Sequence, residues 1–310
     1  MTFRRSVPTN RRAVLRAAVL AVPTVAGLGA VAGCTDYDDS PDPLLPLLVR
    51  AKADADAAIA AGGPEARQVA TVRQAHADAL DEEIRRLNRP RPERMPRVPA
   101  TVDDVAQLGN RLGEAQEQAA GLVGGLPRYR VGLVAAVAAG CAAARQLGPD
   151  LGGGHPDPLE GVDAARPDEE AVSALQDALS AEYAAEWVYD TVTAFLPAAY
   201  DNGLAAGADA HLDRRQACRR LIADAGSTPR AAEPAYQGAE QVSDEESAAE
   251  LVVAAETDAA SAWHGVLERT DDGPLREVAV QALIGSATRL TSWRLDAGVE
   301  PAAPPLPGRG

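Results

Sequence analysis

Three ionisable residues in the second half of the chain fall on helical stripes that are otherwise apolar. Glu182 follows Leu175 and Leu179 at steps of three and four, so all three lie on one face of a helix. His211 and Glu256 occupy comparable positions on the next two predicted helices. Because burying an isolated charge is very costly, each carboxylate there must be hydrogen-bonded, paired with a cation, protonated or bound to a metal.

Two arginines share these inward-facing lines. Arg215 lies one helical turn after His211, and Arg289 lies on the apolar stripe of the last predicted helix. We expect Arg215 and Arg289 to neutralise Glu182 and Glu256, which makes the five side chains a buried polar cluster. The alternative is a single transition metal bound by the two glutamates and the histidine.

The elements that position this cluster are helices. The chain has 310 residues, of which 46% are hydrophobic and only 4% aromatic, and its alanine-rich segments favour helices over strands. The fold class predicted is all-α. Four helices over residues 168–297 indicate an antiparallel four-helix bundle. We assign residues 44–147 to a helical region of about four helices, residues 148–167 to a linker and domain boundary, and residues 298–310 to a disordered tail.

The first bundle helix carries a recognisable pattern. The segment Ala-Leu-Gln-Asp-Ala-Leu-Ser-Ala-Glu-Tyr-Ala-Ala-Glu at residues 174–186 is followed by three further predicted helices. This arrangement resembles ferritin-like domains, in particular an uncharacterised ferritin-like family of exported actinobacterial proteins. The resemblance covers about residues 168–296, and it implies a four-helix bundle whose core can hold two metal ions.

The sequence departs from the ligand set that the resemblance implies. Di-iron members of the class use a Glu on the first and third helices and a Glu-x-x-His motif on the second and fourth. Glu182 and Glu256 match the single glutamates and His211 matches one histidine, but Ala208 stands where the second-helix Glu belongs. The fourth helix offers Ser286 and an arginine in place of Glu and His. We therefore expect no cofactor.

The beginning of the chain has the pattern of an export signal. Residues 1–33 contain five arginines and no acid, and the adjacent Arg11 and Arg12 precede a weakly apolar stretch. This looks like a twin-arginine signal, and residues 31–34 (Val-Ala-Gly-Cys) resemble the bacterial lipobox, whose cysteine is acylated. We expect a signal peptide over residues 1–33, a lipidated Cys34 and a tether over residues 34–43. An uncleaved N-terminal anchor is the alternative.

The net charge restricts the classes of partner. The formal charge is −15, and removal of the five signal arginines would bring it to −20. Such acidity excludes proteins that bind nucleic acid by neutralising phosphates. It also leads us to expect that the body stands off anionic lipid headgroups. The expected location is the extracytoplasmic face of the cell membrane, with an envelope protein as partner.

Two interpretations are open for the two cysteines other than Cys34. Outside the cytoplasm, Cys141 and Cys218 form an even number of thiols that permits a disulfide. The other interpretation is that both cysteines are buried free thiols in alanine-rich helices.

No sequence motif indicates a specific activity. The chain contains no G-x-S-x-G, Walker, G-x-G-x-x-G, C-x-x-C or H-E-x-x-H pattern. The sequence therefore favours a non-enzymatic binding or scaffold module of the cell envelope. The alternatives are a metal-binding or oxidoreductase protein that uses Glu182, His211 and Glu256, and a small-molecule carrier with a pocket between the two halves.

Overall fold

The computed structural model describes residues 40–90, 92–95, 97–153, 159–234, 236 and 242–309. These residues form an all-α fold of eight α-helices and three short 3-10 helices, without a strand in the described ranges. The helices are α1 (Leu45–Ala61), α2 (Pro64–Leu87), α3 (Val105–Val123), α4 (Arg128–Arg145), α5 (Glu169–Val192), α6 (Asp201–Asp224), α7 (Glu245–Glu268) and α8 (Gly273–Asp296). The predicted signal peptide with Arg11 and Arg12, and the predicted lipidation site Cys34, lie outside the described residues.

Helix α4 is the central helix of the molecule. It packs against α2 and α3 on one side and against α7 and α8 on the other. Every residue from 131 to 144 is buried, as expected for a helix that is apolar around its whole circumference. Its two glycines allow close packing: a Cβ atom on Gly132 would lie 2.8 Å from His264, and one on Gly140 would lie 2.1 Å from the Pro305 carbonyl oxygen.

Helices α5 to α8 form the bundle that holds the polar stripes. Helix α5 packs against α6 and α7, and α7 packs against α8. The connections from α5 to α6 and from α7 to α8 are short, whereas residues 225–244 form a long connection between α6 and α7.

The expected domain boundary at residues 148–167 does not separate two cores. Residues 39–310 form one compact unit, and a continuous buried cluster runs from α1 through α4 to α8. The reason is that α4 is apolar on all faces, so its burial needs the bundle on one side and the first helices on the other. Side chains of the first helices and of the bundle pack against one another within this cluster.

The C-terminal segment is also ordered, which corrects the expectation of a disordered tail. Ala302 and Ala303 are each only 1% exposed. The Ala302 amide donates to Gln68 Oε1 at 3.2 Å, and His76 Nε2 donates to the Pro305 carbonyl at 2.6 Å. Residues 299–309 thus pack against α2 and α4. None of the described helices is both long and apolar enough to cross a membrane.

Candidate functional site

The four bundle helices bring Glu182, His211, Glu256 and Arg289 together in the interior. The first three side chains are fully buried. The imidazole of His211 lies between the two carboxylates: Nδ1 is 2.6 Å from Glu182 Oε2, and Nε2 is 3.1 Å from Glu256 Oε1. Arg289 donates from Nε to Glu256 Oε1 at 2.5 Å. Each of the four helices therefore supplies one charged group to a single buried cluster.

Neutral aromatic side chains donate further hydrogen bonds to the two carboxylates. Trp263 Nε1 donates to Glu182 Oε1 at 2.5 Å, and the Tyr189 hydroxyl donates to Glu256 Oε1 at 2.7 Å. Trp293 Nε1 in turn donates to the Tyr189 hydroxyl at 3.2 Å. Because the carboxylates accept these bonds as anions, the aromatic residues favour the charged state of both glutamates.

The second arginine of the cluster is Arg214 rather than the predicted Arg215. Arg214 is buried, donates to Ser286 Oγ at 2.8 Å, and has its Nη1 4.0 Å from Glu182 Oε1. Arg215 instead donates to Glu186 Oε2 at 2.5 Å in a partly exposed pair. The expectation that Arg215 neutralises Glu182 is therefore corrected.

The physical reason lies in the helical period. Steps of three and of four from His211 both return approximately to the same face, since one turn takes 3.6 residues. The sequence alone cannot choose between Arg214 and Arg215. The tertiary structure makes the choice, because Ser286 on α8 gives the guanidinium of Arg214 a buried acceptor.

The electrostatics of the cluster keep its members charged. Burial by itself would raise the pKa of both glutamates. Arg289 and His211 nevertheless lower the pKa of Glu256 far below its usual value. His211 and Arg214 lower the pKa of Glu182. Burial would lower the pKa of His211, yet the two glutamates raise it above 6.5. The pKa of Arg214 falls to about 10, through burial and repulsion by Arg289, and still leaves it protonated at neutral pH.

The residues present do not fit the di-iron centre that the ferritin-like resemblance implies. Two of the positions that would supply metal ligands on α8 are Ser286, which accepts from Arg214, and Arg289, which brings a positive charge. Both nitrogens of His211 already face carboxylate oxygens. Among the residues that the structure describes, no group of three or more His, Cys, Asp or Glu side chains is arranged to hold a metal ion.

Of the two alternatives left open for Cys141 and Cys218, the structure has the free thiols rather than the disulfide. Both thiols are buried. Cys141 lies on α4, where Arg73 Nη1 donates to its Sγ at 3.0 Å, whereas Cys218 lies on α6. Helix α6 packs mainly against α5, and α4 packs against α2, α3, α7 and α8, so the two cysteines belong to different parts of the core.

Sequence reasoning did not assign roles to Tyr189, Trp263 or Arg214. A usable signal exists for Tyr189, which lies seven residues, or two helical turns, after Glu182 on the same stripe. Trp263 lies seven residues after Glu256 in the same way. Indole and phenol groups need hydrogen-bond partners when buried, so their presence on a stripe with a carboxylate indicates a shared network.

Comparison with known proteins relates the bundle region to a family without an assigned role. Residues 174–310 match the family model described as Domain of unknown function (DUF4439). The chain is similar to the solved structure of a conserved hypothetical protein, rv2844, from Mycobacterium tuberculosis, with 33% identity, a TM-score of 0.41 and coverage of 43% of this chain and 93% of that one. No curated protein matches the chain. The match to this family model covers helices α6 to α8 and most of α5.

Proposed function

We propose that this chain is an extracytoplasmic lipoprotein, anchored to the membrane through Cys34, whose helical body is a non-enzymatic binding or scaffold module. The observation that carries the module assignment is the buried cluster. Its two carboxylates accept hydrogen bonds from His211, Arg289, Tyr189 and Trp263. A buried network whose carboxylates are bonded within the protein supports rigidity and a defined fold.

The anchoring part of the proposal is supported by the sequence pattern at residues 1–34. The test is mass spectrometry of the protein isolated from membranes of a bacterium that expresses the full chain. We expect an N-terminal peptide that begins at an acylated Cys34. A Cys34→Ser variant should lose the acyl mass and leave the membrane fraction. Recovery of an unmodified peptide that spans residues 31–37 would contradict the anchor.

The metal-free core is tested separately by elemental analysis of protein purified without chelators. We expect less than a tenth of an equivalent of any transition metal per chain. A stoichiometric metal that is lost in a His211→Asn variant would overturn the proposal. It would favour the alternative, a metal-binding or oxidoreductase protein that uses Glu182, His211 and Glu256, whose side chains are within hydrogen-bond distance of one another.

A further inference from the structure

The positive charge of the mature body is concentrated near the end of α2. Between positions 85 and 97 the sequence has six arginines and one acid, whereas residues 168–310 have 10 basic and 25 acidic residues. Arg85, Arg86, Arg94 and Arg97 are exposed. Tyr129, which is 61% exposed, lies under the guanidinium of Arg86, with the Arg86 Cζ atom 4.8 Å from the ring centroid. We define the basic strip as these four arginines of one stretch of the chain together with Tyr129. Arg97 lines a surface cavity with Lys52 and Asp56 of α1.

The basic strip adjoins the point where the chain enters the folded body. Asp42 is buried, and both of its carboxylate oxygens accept from Arg130 Nη2, at 2.8 and 2.9 Å. Arg130 Nε lies 3.0 Å from Glu83 Oε1, and Glu83 accepts two bonds of 2.9 Å from Arg86. A continuous set of ion pairs therefore fixes the start of the body beside the basic strip.

Chain length limits how far the proposed lipid can be from this point. Five residues lie between Cys34 and Ser40, the first described residue, so six Cα–Cα steps join the two. An extended chain advances at most about 3.5 Å per residue, so the tether allows roughly 20 Å. An anchor at Cys34 would thus hold this end of the body next to the membrane surface.

Neighbouring acids reduce the charge of the basic strip without cancelling it. Arg85 pairs with Asp81, and Arg86 pairs with Glu83. Glu82 is exposed beside these pairs, and Glu93 is the one acid between positions 85 and 97. Residues 81–97 together have six arginines and four acids, which leaves a net charge of +2. Asp168, Glu170 and Asp271 pair with Arg128.

We propose that the basic strip binds the headgroups of anionic phospholipids and orients the body on the membrane. This inference rests on the proposed membrane anchor. It departs from the expectation, drawn from the net charge, that the body stands off anionic headgroups. A Debye length of about 8 Å at physiological salt screens the acidic bundle from a surface that the strip touches. Contact with an anionic leaflet favours arginine side chains near the membrane surface. It also favours an exposed tyrosine at the membrane interface.

The test is cosedimentation of a lipid-free chain with vesicles. The chain begins at position 34 and carries Cys34→Ser, so it keeps the whole of the compact unit of residues 39–310 with its continuous core. We expect binding to vesicles of phosphatidylcholine with 30% phosphatidylglycerol, and none to phosphatidylcholine alone. Each arginine near an anionic surface contributes about a five-fold factor, so R85Q/R94Q/R97Q should lower the partition coefficient on the order of a hundred-fold.

The matched control is R219Q/R220Q/R269Q, which changes the net charge equally at exposed positions of the bundle and should leave binding unchanged. Equal loss in both variants, or no binding of the parent chain, would overturn the proposal. So would displacement by a short DNA oligonucleotide at a lower concentration than the lipid, which would assign the strip to nucleic acid. Because this chain carries no acyl group, the outcome is independent of whether Cys34 is lipidated in cells.

Discussion

Glu256 accepts hydrogen bonds from three different side chains, those of Tyr189, His211 and Arg289. Replacing it by Gln would leave two buried cations without their shared anion. Removal of one partner from a buried ion pair costs about 3–5 kcal/mol, so we expect Glu256→Gln to lower the free energy of unfolding by that amount in chemical denaturation.

The control for this substitution is Arg220→Gln, which removes an exposed pair with Asp163. Exposed pairs contribute at most about 1 kcal/mol. Equal stability of the two variants would mean that Glu256 is hydrated in solution, and the buried cluster would be refuted.

His211 makes the stability of the cluster depend on pH. Its pKa is raised above the unfolded value of 6.5, so the stabilisation is complete below pH 6.5 and is lost as the pH rises through the folded-state pKa. We expect the free energy of unfolding of the wild type to fall on the alkaline side. The His211→Asn variant should be less stable than the wild type at pH 6, and its free energy of unfolding should fall less as the pH rises. If the free energy of unfolding had the same dependence on pH in both proteins between pH 6 and pH 10, a charged imidazole would be contradicted.

At the scale of helices, acidic residues cap the N-termini of α3 and α7. Asp104 caps α3 by accepting from the Gln107 amide, and Asp244 caps α7 in a capping box with Ser247. Neighbouring residues with short polar side chains can all serve as caps. The backbone conformation at the helix entrance decides between them, and that depends on how the helix packs.

Gly140 on α4 sets the distance between this helix and the C-terminal segment. A methyl group there would lie 2.1 Å from the Pro305 carbonyl oxygen and 2.5 Å from His76 Nε2. Gly140→Ala should therefore displace residues 299–309 and speed their removal by limited proteolysis with a carboxypeptidase. It should also lower the free energy of unfolding by more than 1 kcal/mol, because it breaks the contact to His76.

Gly265→Ala on α7 provides the comparison. A Cβ atom at that position meets nothing within 4 Å, and Ala is favoured over Gly inside a helix by up to about 1 kcal/mol. This variant should be at least as stable as the wild type. If both substitutions stabilised the protein, the close contact at Gly140 would be disproved.

At the scale of the whole molecule, the continuous core predicts a single cooperative transition. The buried cluster that includes α4 joins the first helices to the bundle, and neither part can bury α4 alone. We expect one calorimetric peak, with the calorimetric and van't Hoff enthalpies equal. Deletion of residues 299–310 should shift this peak to lower temperature without splitting it. Two separate transitions would show that residues 148–167 divide independent domains.

The sequence by itself determined the helical class, the positions of the helices and the polar stripes with Glu182, His211, Glu256 and Arg289. These follow from a period of 3.6 residues and from the cost of burying charge, both of which are local properties. The tertiary structure decided what the sequence could not. It selected Arg214 over Arg215, kept Cys141 and Cys218 apart, and joined two expected domains and a tail into one core. Each of these depends on which helices are in contact. Contacts between segments that are distant in the sequence do not produce a repeating pattern of residues, so they cannot be predicted from periodicity.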